Sequence, residues 1–462
     1  MIFAATLRLR TQAASIELPE PDCPELGCPE LLFAIMKILY VSQYFPPEMG
    51  APAARAAELS RHWVASGHDV TVLTGFPNHP TGVVPPEYRS QLRRLVLREK
   101  TDGVNVVRTW LLAFPNRKAH ERILNYTSFC ASAAATGLFL SRPDVVIATS
   151  PQLLVALSGW WLARCKRVPF VFEVRDLWPE SLAAVGMGNP NSLLHRTLAK
   201  IASFLYRRSD RVVVVTPAFE DHLVQHWRVP RKKISVIENG VETKLFAPDP
   251  FPGGTETTLR RELRAEGKFV VSYIGTMGMA HGLETIIAVA AQLQNTNPEI
   301  VFLMLGEGAE KERIVTLARE RGLNNLRFVD QQPREKIPAY ICASDVCLVL
   351  LKKTELFKTV IPTKMLEFMS CARPVILGVD GQARAILEEA RAGFVIEPES
   401  SAALLDAIRD LAANREVARQ LGQNGREYIL RKFSRHHTAE KYICVLEALL
   451  QLPQRRKIKA AA

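Results

Sequence analysis

Lys364 and Glu367 stand three apart in PTKMLEFMSCARPV (362–375), a spacing that sets a cation and a carboxylate on one helix face. On a solvated helix such a pair is worth only a few tenths of a kcal/mol, but a carboxylate can also take two hydroxyl donors at once. Arg175 and Asp176 open RDLWPES (175–181) at the end of the apolar run PFVFEV, which places charge at the carboxyl edge of a strand. Asp176 there either caps loop N–H groups, with Trp178 and Pro179 packed around it, or meets a ligand. Three glycine-bearing segments follow apolar runs. PPEMGAPAA (46–54) opens a helix whose first N–H groups are available to an anion or a sugar; Glu48, Gly50 and Arg55 are its candidates. GTMGMAHG (275–282) presents Gly275, Thr276, Gly278, His281 and Gly282, with backbone N–H groups for an anion. GEG (306–308) brings Gly306 and Glu307 near a ligand or makes a plain turn. Pro77 to Gly82 forms a further short loop at a strand end. Glu58 and His62 read as a solvated helix face.

These segments need a scaffold that brings strand ends together. KILYVS (37–42) is a short apolar run of buried-strand type. A helix from about Ala53 to Ser66, ended by Gly67, and the strand HDVTVLT (68–74) complete a βαβ unit with a loop at the strand's carboxyl end. Alternation continues through VNVVRTW, a helix over Arg122–Leu140, PDVVIATS, a helix over Leu153–Arg164, PFVFEVRD, a helix over Asn191–Arg208, RVVVVTP and KISVIENG. APDPFPGGTETT (247–258) reads as a linker. A second βα series runs from FVVSYIGT (269–276) to RPVILGV (373–379), followed by helices over Ala402–Ala412 and Arg415–Lys432. Near-continuous Val/Ile strands predict α/β domains with parallel sheets covered on both faces, and two such halves imply a cleft between them.

Composition narrows the chemistry. The 462 residues are 48% hydrophobic and 23% charged, which is globular usage. The net charge of +12 favours an anionic partner: nucleic acid, a phosphate-bearing substrate or an anionic membrane. Nucleic acid is disfavoured, because no zinc-finger spacing, RNP-like strand or basic heptad region occurs. The longest apolar stretch, Ala131 to Leu140, is interrupted by Ser132 and Thr136 and falls short of the ~18 residues of a spanning helix. Eight scattered cysteines suit thiols in a reducing cytosol, and no pair completes a zinc site with Cys23 and Cys28. Residues 1–35 lack strand-turn-helix order and carry Pro19, Pro21, Pro24 and Pro29; they read as an extended gene start or a floppy leader before MKILYVS.

Together, PPEMGAPAARAAELSRHWVASGHDVTVLTGFPNHPTG (46–82), RDLWPES, VIENGVETKLFAP (236–248), YIGTMGMAHGLET (273–285), MLGEG (304–308) and IPTKMLEFMSCARPVI (361–376) resemble the family 4 glycosyltransferases, retaining nucleotide-sugar enzymes of GT-B architecture. The resemblance covers about Met36 to Leu449. The branch it looks most like adds sugars, often N-acetylated amino sugars, to lipid-linked carriers in bacterial surface-polysaccharide and lipopolysaccharide assembly. The resemblance implies two Rossmann-like domains facing each other across a cleft. These are an acceptor-side domain (36–246, joined by a returning C-terminal helix, 433–452) and a donor domain (247–432), before a basic tail (453–462). It implies that Glu367 accepts hydrogen bonds from the donor ribose, that Asp176 touches the transferred sugar or the acceptor beside Arg175, and that the donor is a nucleotide sugar, UDP by family habit, with no metal cofactor. No Asp-x-Asp motif appears. The chain departs from the family at three charged donor contacts: Thr359 replaces the first glutamate, and Thr276 and His281 stand where the diphosphate-binding Arg and Lys belong. Lys364 is the nearest spare cation, so Asp176, Glu367 and Lys364 are the expected catalytic set.

The remaining charge needs its own account. LLHRTLAKIASFLYRRSD (193–210) mixes Leu194, Leu198, Ile201 and Leu205 with Arg196, Lys200, Arg207 and Arg208, a basic amphipathic pattern suited to anionic lipid. Arg122, Phe129, Phe139, Trp160 and Trp161 extend it. The expected place is cytoplasmic, peripheral to the inner face of the cell membrane, with a lipid-linked saccharide as acceptor. The competing readings are a sugar-nucleotide epimerase of the same architecture and a non-catalytic sugar-nucleotide-binding homologue. A dinucleotide oxidoreductase is disfavoured, because VSQYFPPEMGAP lacks the G-x-G-x-x-G fingerprint.

Overall fold

The computed structural model describes residues 35–78, 82–114, 119–150, 152–181, 192–248 and 255–451. The expectations for the leader, the basic tail, the middle of the linker and the middle of the Pro77–Gly82 loop lie outside them. The first sheet contains β1 (Lys37–Val41), β2 (Asp69–Gly75), β3 (Val96–Thr101), β4 (Val104–Thr109), β5 (Val145–Thr149), β6 (Phe170–Val174), β7 (Arg211–Val214) and β8 (Ile234–Val236), in the order β3-β4-β2-β1-β5-β6-β7-β8. All its neighbours pair parallel except β3 with β4. The apolar runs of the sequence become its buried centre: every residue of β5 and β6 is buried, as expected for strands covered on both faces. The antiparallel β3 was not anticipated. It is an edge strand carrying Arg98, Glu99 and Lys100, so it shows no apolar run.

Helices cover both faces. On one lie α1 (Ala51–Ala65) and the C-terminal α9 (Arg435–Gln451); on the other, α2 (Ala119–Leu138), α3 (Leu153–Lys166) and α4 (Leu193–Arg208), with α5 (Pro217–Trp227) beyond them. α9 returns to the first sheet after the second has been completed. Its Tyr442 meets Trp63 edge-to-face at 5.2 Å, and the Trp63 Nε1 donates to the Ala439 carbonyl at 3.2 Å. On α4, Leu198, Ala202, Leu205 and Tyr206 face inward, while Leu193 and Leu194 remain 81% and 45% exposed. Most of the amphipathic stripe therefore serves the protein's own core.

The second sheet is wholly parallel: β9 (Phe269–Ile274), β10 (Ile300–Leu305), β11 (Leu326–Val329), β12 (Val346–Leu350), β13 (Val375–Gly378) and β14 (Gly393–Val395), in the order β11-β10-β9-β12-β13-β14. α6 (Glu284–Thr296), α7 (Thr363–Ser370) and α8 (Arg415–Lys432) are among its helices. Each sheet is a Rossmann-like βα domain, and the whole is an α/β protein of GT-B architecture.

Two charged residues of α1 lie deeper than their sequence context suggests. Arg55, expected on the acceptor side, is 1% exposed. Its Nε and Nη2 donate to Glu173 Oε1 at 3.0 and 2.9 Å, its Nη1 donates to Asn239 Oδ1 at 3.0 Å, and the Tyr40 hydroxyl donates to Glu173 Oε2 at 2.7 Å. This is a buried pair that clamps α1 to β6 and to the segment after β8. Glu58, expected on a solvated face, is 2% exposed and also ion-paired; His62 meets Glu242 at 3.1 Å. Removing one partner of a buried pair leaves the other charge stranded. Arg55→Ala is therefore expected to destabilise the fold by about 3–5 kcal/mol, measured by chemical denaturation. A loss below about 1 kcal/mol, the range of exposed pairs, would contradict this assignment.

Candidate active site

The carboxyl ends of β9, β10 and β12 lead into the loops that the sequence singled out. After β9 the chain turns at Gly275, whose φ is +140°. The next strand end presses on it from the side. A Cβ on Gly306 would lie 2.0 Å from the Gly275 carbonyl oxygen, and one on Gly308 would lie 2.3 Å from the Met277 carbonyl oxygen. The Met277 N–H donates to the Glu307 carbonyl at 2.8 Å, while the Glu307 side chain pairs with Lys311. The GEG segment is thus the backbone support of the Gly275–Gly282 loop. Gly306→Ala meets main chain that cannot swing aside. It is expected to cost about 1–3 kcal/mol of stability and to weaken donor binding, read by thermal denaturation and titration of the donor.

Lys364, at the start of α7, reaches into this loop. Its Nζ lies 4.0 Å from the centroid of the Tyr273 ring, and a Cβ on Gly275 would stand 3.7 Å from it. The ammonium is buried and, among the described residues, has no hydrogen-bond partner. Burial pushes its pKa down to about 7, against the pull of Glu367. His281 stands edge-on to Tyr273 at 5.9 Å, with its Nδ1 3.2 Å from the Leu350 carbonyl oxygen. Burial, with the Lys364 charge adding to it, holds the His281 pKa near 3, so the ring is neutral. The Tyr273 hydroxyl donates to the Thr276 carbonyl at 2.6 Å. Gly275, Thr276, Gly278, His281, Gly282 and Lys364 therefore belong to one cluster, braced by Gly306 and Glu307. Thr359 has other partners: its Oγ1 donates to the Leu356 carbonyl at 2.7 Å, and its carbonyl accepts from Thr216 Oγ1, at the head of α5 in the other domain, at 2.9 Å.

Glu367 lies one turn further along α7 and is 8% exposed. No ion pair with Lys364 forms. Glu367 Oε1 instead accepts from Arg334 Nη1 at 2.9 Å. Burial pushes the carboxyl up, and the Arg334 charge draws it part of the way back. Arg334 escaped the sequence reading; its one signal was its place in QQPREK, just past the carboxyl end of β11.

In the first domain, Ser150 Oγ accepts from the backbone N–H groups of Arg175 and Asp176 at 2.7 and 3.3 Å and fixes the RDLWPES turn. Burial raises the Asp176 carboxyl to about 6, with the Arg175 charge opposing the shift. The Arg175 Nε and Nη1 are buried and, among the described residues, have no hydrogen-bond partner. Burial and the nearby Arg55 charge both weigh against its cation, so an anion brought to it would relieve a standing cost. Glu48 is 6% exposed: its Oε2 accepts from the Phe45 N–H at 3.3 Å and its Oε1 from the Asn78 N–H at 3.0 Å. It joins the first loop to the second rather than standing open to solvent, and Gly50, at φ +132°, leads from it into α1.

The chain matches two family models in series: the Glycosyl transferase 4-like domain over residues 50–240 and Glycosyl transferases group 1 over residues 255–428. The glycosyl transferase WcaI of Escherichia coli strain K12, named for colanic acid biosynthesis, is 24% identical over 414 residues, 86% of this chain and 98% of its own length. Sucrose-phosphate synthase from Thermosynechococcus elongatus superposes with a TM-score of 0.69 at 21% identity, covering 90% of this chain and 99% of that one. HepE of Anabaena, solved with UDP and glucose, gives 0.67 at 18%, covering 89% and 100%.

Proposed function

Because the chain belongs to the family 4 glycosyltransferases of GT-B fold, we propose that it moves a sugar from a nucleotide-sugar donor, UDP-linked, to a lipid-linked saccharide in surface-polysaccharide assembly, with retention at the anomeric carbon. The observation that carries the donor half is Lys364, a buried and unpartnered ammonium set against the Gly275 loop one helical turn from Glu367. A diphosphate there gains a cation and backbone N–H groups in a site of low polarity, where fixed charge lowers the barrier to its departure. Glu367 takes the ribose hydroxyls. Asp176, across the cleft, faces the sugar being transferred or the attacking hydroxyl. The nucleotide choice is supported by HepE, whose structure holds UDP and glucose; the pathway is supported by the name of WcaI. A thermal-shift screen of nucleotide sugars, followed by transfer of labelled sugar to a lipid-diphosphate saccharide, tests the reading. Stabilisation by no nucleotide sugar overturns it.

The acceptor side carries the membrane expectation. Among the described residues no helix is long and apolar enough to cross a membrane. Ile123 and Leu124 on α2, Trp161 on α3, and Leu193 and Leu194 on α4 are exposed, and Arg122, Arg164, Arg196 and Lys200 lie near them in sequence. This combination supports peripheral docking on anionic lipid. The chain is expected to float with anionic liposomes at low salt, and Leu193→Asp with Leu194→Asp to reduce flotation. Absence of binding at low salt counts against it.

A further inference from the structure

Arg334 sits where three elements from both domains meet. Its Nη1 donates to Glu367 on α7 at 2.9 Å, while its Nε and Nη2 donate to Glu58 Oε1 on α1 at 3.1 and 2.8 Å. Glu58 is held from its other side, because Arg435 Nε at the start of α9 donates to Glu58 Oε2 at 2.8 Å. The guanidinium also lies over the Phe246 ring, 4.8 Å from its centroid. Glu58 and Arg435 are each 2% exposed, so the chain Arg435–Glu58–Arg334–Glu367 starts in dry protein and reaches partly exposed ground at Arg334, whose side chain is 25% exposed. It ends on a carboxylate with one oxygen engaged; among the described residues no partner is recorded for Glu367 Oε2.

We propose that Arg334 is the positioning residue for Glu367: braced by Glu58 of the opposite domain, it fixes the carboxylate as an ionised acceptor for the ribose hydroxyls of a nucleoside diphosphate. The inference rests on the donor role of Glu367 proposed above. It gives α1 of the acceptor-side domain control over donor affinity without touching the donor. The physical reason is orientation and charge together. A carboxylate held in one rotamer meets two hydroxyls without reordering, and an ionised one accepts at both oxygens. The charged groups around Glu367 are Arg334 in front, Lys364 on its own helix, Glu58 and Arg435 from the first domain, and the Cys371 thiol. Burial already lifts the Glu367 carboxyl. Loss of Arg334 removes that pull and lifts the carboxyl further.

The test compares UDP, GDP and ADP, by calorimetry on the whole chain, with the 2′,3′-dideoxy form of whichever binds. The wild type is expected to bind the dideoxy form about 10–100-fold more weakly, the scale of one or two lost hydrogen bonds to a charged group. In Glu367→Gln, Arg334→Gln and Glu58→Gln the ratio should shrink towards one, and Arg334→Lys should restore part of it. The ratio is taken within one variant, so a change in folded fraction does not move it. Wild-type discrimination retained by Arg334→Gln, or by Glu58→Gln where the first does not fold, overturns the inference if Glu367→Gln loses it. Discrimination retained by Glu367→Gln, or no nucleotide bound by the wild type, overturns the donor reading itself.

Discussion

Lys364→Met is expected to lower turnover about 10²–10³-fold while leaving the melting temperature unchanged or raised. Both halves follow from one observation: the Lys364 ammonium is buried beside Tyr273 with no hydrogen-bond partner. In the free protein it is a desolvated cation resting on the face of the Tyr273 ring, with no hydrogen bond to a described residue, and an apolar side chain of similar length removes that cost. With a diphosphate in place it becomes a charge facing charge. The pH dependence has a definite sign. The Lys364 pKa lies near 7 in the free protein, and a bound diphosphate raises it. Above about pH 7, donor binding must therefore take up a proton, and affinity should fall as the pH rises. Calorimetry near pH 8 in buffers of different ionisation enthalpy detects that proton, and the Met variant should lose it. Near-normal turnover in Lys364→Met would remove Lys364 from the reaction.

The second large effect is expected at Asp176. Asp176→Asn should cost about 10²–10³-fold in turnover with donor affinity little changed, since its partners lie in the first domain. Burial raises the Asp176 carboxyl to about 6, so a reaction that needs the carboxylate loses rate as the pH falls through 6. The wild-type profile should show that acid limb, and the Asn variant should be flat there at its lower rate. A loop-capping role predicts the opposite pattern: a lower melting temperature and an unmoved acid limb.

Much of the fold was legible because parallel strands covered on both faces announce themselves as apolar runs. KILYV, VVIAT and FVFEV are such runs, and each is a central strand. What escaped notice included the charged edge strand Val96–Thr101, the three-residue β14 and two helices, α5 and Gln382–Ala390. The site divided along a similar line. The glycine loop after β9, the GEG support and Lys364 follow strand ends, and a glycine forced to φ +140° by a close neighbour leaves its mark in the sequence. Charged residues on helices were harder. On α1, Glu58 reads as part of a solvated face and Arg55 as an acceptor-side candidate, yet both are buried, because their partners, Glu173, Arg334 and Arg435, come from remote parts of the chain. Pairings over such separations leave no local pattern to read.

The return of α9 to the first sheet has a consequence for how the molecule is made. The face holding Tyr40, Trp63 and Val72 is closed by Tyr442, Ile443 and Leu446, which leave the ribosome only after the whole donor domain. A nascent acceptor domain must therefore wait with an aromatic seam exposed, and chaperone binding during synthesis should concentrate on that face and end when Arg435–Gln451 emerges.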